Sequence, residues 1–264
     1  MLKAGLQKTS LVDYPGIVAA VIFLPYCNFR CPWCQNADLV DISKTDPSLF
    51  PMEAIIEILK MRRSVLEGVV ITGGEPTLTR ELPDLIRLYR SFGYKVKLDT
   101  NGSKSSVLGH LFADPDTRPD YIAMDLKRSP HRYRELAQFL ETPAVTRKSV
   151  GKRQPPAGIT RASSIEAEII KSSALINASG VPHEYRTLVL PEQQTTKEDI
   201  ISLADLVDSE SPWIFSPFKP GTCLDPEWNS LMQTSEYEVE GLASEARNLG
   251  KIVYTRGLKK PSTP

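Results

Sequence analysis

Short β-branched runs alternate with segments of helical apolar spacing along almost the whole chain. This alternation constrains the fold more than any other feature. IVAAVIFL (17–24) is bounded by Gly16 and Pro25, and EGVVIT (67–72), YKVKLDT (94–100), PDYIAMDLK (119–127), HEYRTLVL (183–190), PWIFSPF (212–218) and KIVYT (251–255) follow as further strands. Helical spacing fills 48–65, 80–92, a short stretch at 105–112, 163–180, 197–208 and 235–250, and Gly180 is placed to stop the helix before it. Strands that alternate with helices predict βα units on a parallel sheet. Six or seven units fit an incomplete or a complete barrel, with ligand sites at the C-terminal ends of the strands.

A chain of 264 residues has room for one such barrel and buries a sizeable core without staples. A single domain is expected over 1–257. Residues 141–163 are basic, rich in Pro, Gly, Ser and Thr, and lack apolar periodicity; they are expected to form a flexible insertion. Residues 258–264 are expected to be a loose tail. Lys plus Arg equals Asp plus Glu, 32 each. That balance gives no electrostatic reason to expect a nucleic-acid or membrane partner. The N-terminus lacks the apolar core of a secretory signal, and IVAAVIFLP is too short to span a bilayer. A cytoplasmic location with reduced thiols is therefore expected.

The stretch LPYCNFRCPWCQN (24–36) holds Cys27, Cys31 and Cys34, three of the four cysteines in the chain. A structural zinc site usually takes four protein ligands, and its cysteines usually come as two separated pairs. A four-iron cluster also usually takes four cysteines. Cys223 stands alone, far downstream, and is expected to be an ordinary small residue. Three thiols leave one metal position open for a substrate or cofactor. A zinc or other metal loop remains the alternative.

The C-x3-C-x2-C spacing, with an aromatic before the last cysteine, resembles the radical S-adenosylmethionine (SAM) superfamily. The resemblance implies an incomplete (β/α)6-type TIM-like barrel in which Cys27, Cys31 and Cys34 hold a [4Fe–4S] cluster. SAM binds the open iron, and an electron from the cluster cleaves it to methionine and a 5′-deoxyadenosyl radical. GVVITGGEPTL (68–78) resembles the superfamily's GGEP segment. It implies that Gly73, Gly74 and Glu75 hold the amino end of SAM and that Pro76 shapes the turn. KLDTNGS and AMDLK resemble segments of glycyl radical enzyme activating enzymes, which surround SAM and a nearby monovalent cation. Asp99, Thr100, Asp125 and Lys127 become site residues by that likeness, with Lys127 facing the SAM carboxylate. Arg186 is a candidate for the ribose or carboxylate, and Trp33 for the adenine. Gln35 stands where the family commonly has histidine, before Asn36.

TSLVDYPGIVAAVIFLPYCNFRCPWCQN, YIAMDLK, EYRTLVLP and FKPGTCLDP together resemble the anaerobic ribonucleoside-triphosphate reductase activating protein family, related to pyruvate formate-lyase activating enzyme. The implied reaction removes a hydrogen atom from a glycine of a partner glycyl radical enzyme. The implied electron donor is flavodoxin-like or ferredoxin-like. Three alternatives are a radical SAM enzyme acting on a small molecule, as a 7-deazaguanine synthase does, a non-catalytic metal-binding module, and a degenerate interaction protein that keeps the fold alone, against which the intact cysteines and GGEP argue.

Overall fold

The computed structural model describes residues 2–40, 49–137 and 163–259. The insertion expected at 141–163 lies outside the described residues except for its last position, and so does the tail beyond 259.

Nine strands form one sheet in the order β3-β1-β2-β4-β5-β6-β7-β8-β9. β2 (Ala19–Leu24), β4 (Gly68–Gly73), β5 (Lys95–Thr100), β6 (Tyr121–Asp125), β7 (His183–Val189), β8 (Trp213–Pro217) and β9 (Val253–Thr255) run parallel. They match the seven runs read from the sequence. β1 (Lys3–Ser10) and β3 (Phe50–Pro51) add antiparallel pairings at one end. The first and last strands of the order are not paired with each other, so the barrel is incomplete.

The strands take the buried places because both faces of the sheet are covered. β2, AAVIFL, is buried at every position but Phe23, as expected of a parallel strand with apolar residues on both sides. Helices α1 (Ala37–Val40), α2 (Met52–Met61), α3 (Leu82–Ser91), α4 (Ser105–Ala113), α5 (Tyr133–Ala137), α6 (Ser163–Ala178), α7 (Lys197–Ala204) and α8 (Glu236–Asn248) follow in chain order. In α3, Leu82, Leu85, Ile86 and Tyr89 are buried at helical spacing while Asp84 and Arg87 face solvent. α7 and α8 each start with a capping box, Thr196 with Asp199 and Ser235 with Glu238. The main core lies between sheet and helices. A small second cluster, Tyr14, Ala19, Val21 and Val70, packs with Ile17, Phe23 and Tyr121.

Two features depart most from the sequence reading. The helix expected at 48–65 is shorter, Met52–Met61, because Phe50 and Pro51 pair with β1. β1, KAGLQKTS, was not foreseen: it has few apolar residues and no clean alternation, and its pairing to β2 shifts register between Gln7 and Ser10. Among the described residues no helix is long and apolar enough to cross a membrane.

Candidate active site at the C-terminal ends of the strands

The cysteine loop leaves β2 at Leu24 and turns at Tyr26, whose φ of 80° is left-handed. It is held from several sides. Arg30 Nη1 donates to the Cys27 and Phe29 carbonyls at 2.8 and 3.2 Å. Cys34 N–H closes a turn onto Cys31 O at 3.0 Å. The 224–225 backbone donates to the Cys34 and Pro32 carbonyls at 2.8 and 3.0 Å. Gln35 Nε2 donates to Lys219 O at 2.7 Å, so Gln35 anchors the loop after β8.

The glycine turn after β4 is built against this loop. Gly74 N–H donates to Leu24 O at 2.8 Å and Glu75 N–H to Tyr26 O at 2.6 Å. A Cβ on Gly74 would lie 2.0 Å from Tyr26 O, and one on Gly73, with φ of 125°, would lie 2.2 Å from Leu24 O. Only glycine permits this backbone-to-backbone contact. Pro76 opens the short 3₁₀ turn Pro76–Leu78 that follows. The Glu75 carboxylate is fully buried. Its Oε1 accepts from Thr77 N (3.0 Å), Thr77 Oγ1 (2.5 Å) and Thr100 Oγ1 (2.8 Å), and its Oε2 accepts from Asn101 N (2.6 Å). Burial raises its carboxyl above the usual carboxylate range, against the pull of these hydrogen bonds.

Charged side chains from three neighbouring strands form a chain of alternating sign. Lys97 pairs with Asp99 at 2.6 Å, Asp99 with Arg186 at 3.0 Å, Arg186 with Asp125 at 2.8 Å, and Asp125 with Lys127 at 3.0 Å. Register explains the order. Asp125 lies opposite Arg186, and Asp99 and Asp125 share a face with side chains two residues away. Burial opposes the charge on Asp125, but Arg186 and Lys127 more than offset it and hold its carboxyl well below the usual range. Burial likewise opposes the charge on Lys127, and Asp125 outweighs it, so the ammonium is held above its usual range. Every carboxylate oxygen of Asp99 and Asp125 faces a cationic side chain.

All the residues singled out from sequence line one cavity of about 490 Å3: Cys27, Cys31, Cys34, Trp33, Gly73, Gly74, Glu75, Asp99, Thr100, Asp125, Lys127 and Arg186. That volume lies in the range of small-molecule sites. Trp33 packs on Trp228, ring centroids 5.3 Å apart. Sequence reasoning missed Lys97, Asn101 and Arg128. Lys97 sits two positions before Asp99, and period-two alternation could have placed it on the same face. Asn101 lies in KLDTNGS, but only Asp99 and Thr100 of that segment were singled out. The Asn101 amide donates to Asn28 Oδ1 at 3.1 Å and stands 3.9 Å from Cys27 Sγ. Nothing in sequence marks Arg128.

Three thiols on one loop fit a four-iron cluster that keeps one iron open. Among the described residues no three Cys, His, Asp or Glu side chains converge on one ion. A multi-iron cluster takes each thiolate on its own iron. Phe29 N–H and the Asn101 amide already point at Cys27 Sγ, at 3.4 and 3.9 Å, as hydrogen bonds to cluster sulfurs do. Burial pushes the Cys27 thiol up to about 11 and the Cys31 thiol up to about 12, so iron must displace their protons.

The profile of the radical SAM superfamily matches residues 21–207, more than half of the chain. The chain belongs to the radical SAM superfamily. A [4Fe–4S] cluster and SAM are the cofactors of this radical SAM protein, and the chain is an enzyme. A "Putative glycyl-radical enzyme activating enzyme" of Methanocaldococcus jannaschii is 29% identical over 252 residues, 95% of this chain and 91% of that one. The 7-carboxy-7-deazaguanine synthase of Aquifex aeolicus is 35% identical over 88 residues, 33% of this chain and 38% of that one. The crystal structure of Streptococcus suis SuiB bound to SAM superposes with a TM-score of 0.57 at 16% identity over 90% of this chain, which shows a shared fold. The radical SAM chain described here spans 52% of SuiB's length.

Proposed function

We propose that this radical SAM enzyme activates a glycyl radical enzyme by removing a hydrogen atom from a glycine of that partner. The extent of similarity carries the reading. The archaeal relative named as an activating enzyme matches over 95% of this chain, whereas the deazaguanine synthase matches over 33%. The finer reading, an anaerobic ribonucleoside-triphosphate reductase as partner, rests on the phrases TSLVDYPG, YIAMDLK and FKPGTCLDP. A flavodoxin-like or ferredoxin-like protein is the proposed electron donor.

When bound, the cluster and SAM supply the hydrogen-abstracting group. The chain's own residues bind, orient and exclude water. Gly73 and Gly74 keep the cysteine loop close to the β4 turn. Glu75 Oε2 carries one chain donor against three on Oε1, which leaves it an acceptor site for the SAM ammonium. Lys127 lines the cavity at the end of the ion chain and is the proposed partner of the SAM carboxylate. Asp99, Thr100, Asp125 and Arg186 fix the far wall, and Trp33 offers a ring for the adenine. The unclosed sheet supports entry of a polypeptide loop.

The test is anaerobic reconstitution followed by incubation with SAM, reductant and candidate partners. The expected result is a glycine-centred radical on the partner by electron paramagnetic resonance, with deuterium from labelled glycine appearing in 5′-deoxyadenosine. Deuterium arriving from a small metabolite instead would overturn the reading.

A further inference from the structure

Arg128 follows Lys127 yet stays out of the ion chain. Its guanidinium lies over the Trp33 ring, 4.8 Å from the centroid, and Trp33 stands between Cys31 and Cys34. The residue is 7% exposed. One Nη hydrogen goes to the Gln194 carbonyl. Among the described residues Nε is buried without a partner, and the neighbouring Ser129 Oγ is in the same condition.

Arg128 makes no ion pair among the described residues. Asp199 and Glu135 are near enough to favour its charge, but Asp199 already accepts from Arg132 at 2.9 Å and from Ser129 N–H at 3.1 Å, and Glu135 accepts from Arg132 at 3.1 Å. Burial pulls the Arg128 pKa down, as does the charge of Arg132. A buried cation left without a carboxylate is costly unless negative charge is provided from elsewhere. The other cations around the loop are placed differently. Lys127 is matched by Asp125 at 3.0 Å. Arg30 is partly exposed and holds two loop carbonyls. Lys127 also favours the Cys27 and Cys31 thiolates, with Asp125 partly cancelling it at Cys31, whereas Arg128 is dry and has no carboxylate in contact among the described residues.

We propose that Arg128 is the electrostatic partner of the iron–sulfur cluster: stacked on Trp33 between the second and third cysteines, and lacking a carboxylate of its own, it stabilises the negative charge that the cluster gains on one-electron reduction and so raises its reduction potential. The electron comes from a low-potential one-electron donor, and no bond forms or breaks. Hydrogen bonding and charge around a cluster are among the protein's means of setting its potential. The inference rests on the cluster and not on the activase reading, so each can fail without the other.

The experiment is a redox titration of the anaerobically reconstituted protein without SAM, followed by electron paramagnetic resonance, with iron and sulfide measured on the same samples. Arg128→Gln is expected to hold a full cluster whose midpoint is more negative than that of the wild type. Arg128→Lys, which keeps the charge but not the planar stack, is expected to return the midpoint toward the wild-type value. An unchanged midpoint in Arg128→Gln overturns the proposal. So does a midpoint in Arg128→Lys displaced as far as in Arg128→Gln, since the loss of packing would then explain both. If Arg128→Gln takes up no cluster, Arg128→Lys decides. A full cluster at the wild-type midpoint then supports the charge, and loss of the cluster there too assigns Arg128 to the scaffold and overturns the proposal.

Discussion

Asn101 donates its backbone N–H to Glu75 Oε2 across 2.6 Å, which makes the turn after β4 and the end of β5 one piece. The same residue's amide reaches toward Cys27. A carboxylate with no cation partner among the described residues is thus held by four hydrogen bonds, at the meeting point of the three segments that the family motifs mark.

Glu75→Gln puts an amide N–H2 where donors converge and leaves at least one buried donor unpaired. The expected loss of stability is about 1–3 kcal/mol. Urea unfolding of the apoprotein measures it, and calorimetric titration of the reconstituted protein should show weaker SAM binding. Unchanged values in both would mean that the buried carboxylate does not organise the site.

Gly74→Ala must push the cysteine loop away, because a Cβ there would lie 2.0 Å from Tyr26 O. Overpacking of this kind costs about 1–3 kcal/mol. The strain falls on the loop itself, so iron uptake after reconstitution should drop more than the unfolding midpoint does. Wild-type iron content would contradict the close contact.

Asp125→Asn leaves Arg186 with Asp99 alone and Lys127 without a partner. The pairs are partly exposed, so the expected loss near neutral pH is about 1–3 kcal/mol, between surface and buried values. The folded carboxyl lies below its unfolded value. Its contribution is therefore present above the ordinary carboxylate range and is lost as pH falls through that range toward the lower folded value. The stability gap between wild type and Asp125→Asn should narrow from pH 6 to pH 3 in urea titrations. A gap that widens on acidification would reverse the assignment.

Lys127→Ala should weaken SAM binding by about 1.5–3 kcal/mol while the iron content stays near that of the wild type. Single replacements of Cys27, Cys31 or Cys34 by Ala should remove cluster iron and SAM cleavage together. Cys223→Ala should spare both. Cys223 is buried, and its N–H donates to Asn229 Oδ1 at 2.7 Å on the loop that braces Cys34. Iron loss in Cys223→Ala would make it a ligand and remove the open position.

The parallel strands were legible as short apolar runs alternating with helical spacing, several of them stopped by Gly, Pro or Asn. The site residues were legible because their motifs fall at strand ends, where this architecture gathers side chains. β1 was not legible: it pairs at the rim, and its polar pattern carries no period. Nor were the ties between motifs. Asn101 to Glu75 and Arg186 to Asp99 join residues 26 and 87 positions apart, through strand order and register that no local pattern encodes. Arg128 on Trp33 depends on a loop and a strand end meeting in space, which spacing alone does not reveal.

The sheet ends in two very short strands, Phe50–Pro51 and Val253–Thr255. Free edges invite foreign chains to stitch themselves on, and stubby or proline-bearing borders discourage it. At the β9 border a visitor finds three residues of backbone to pair with, whereas at the other border β3 covers only Lys3 and Ala4 of β1. Amyloid-like zippering therefore has almost no template at the β9 border. A legitimate visitor there must be gripped by side chains, so its recognition is a matter of residue identity, and a generic extended peptide should be turned away.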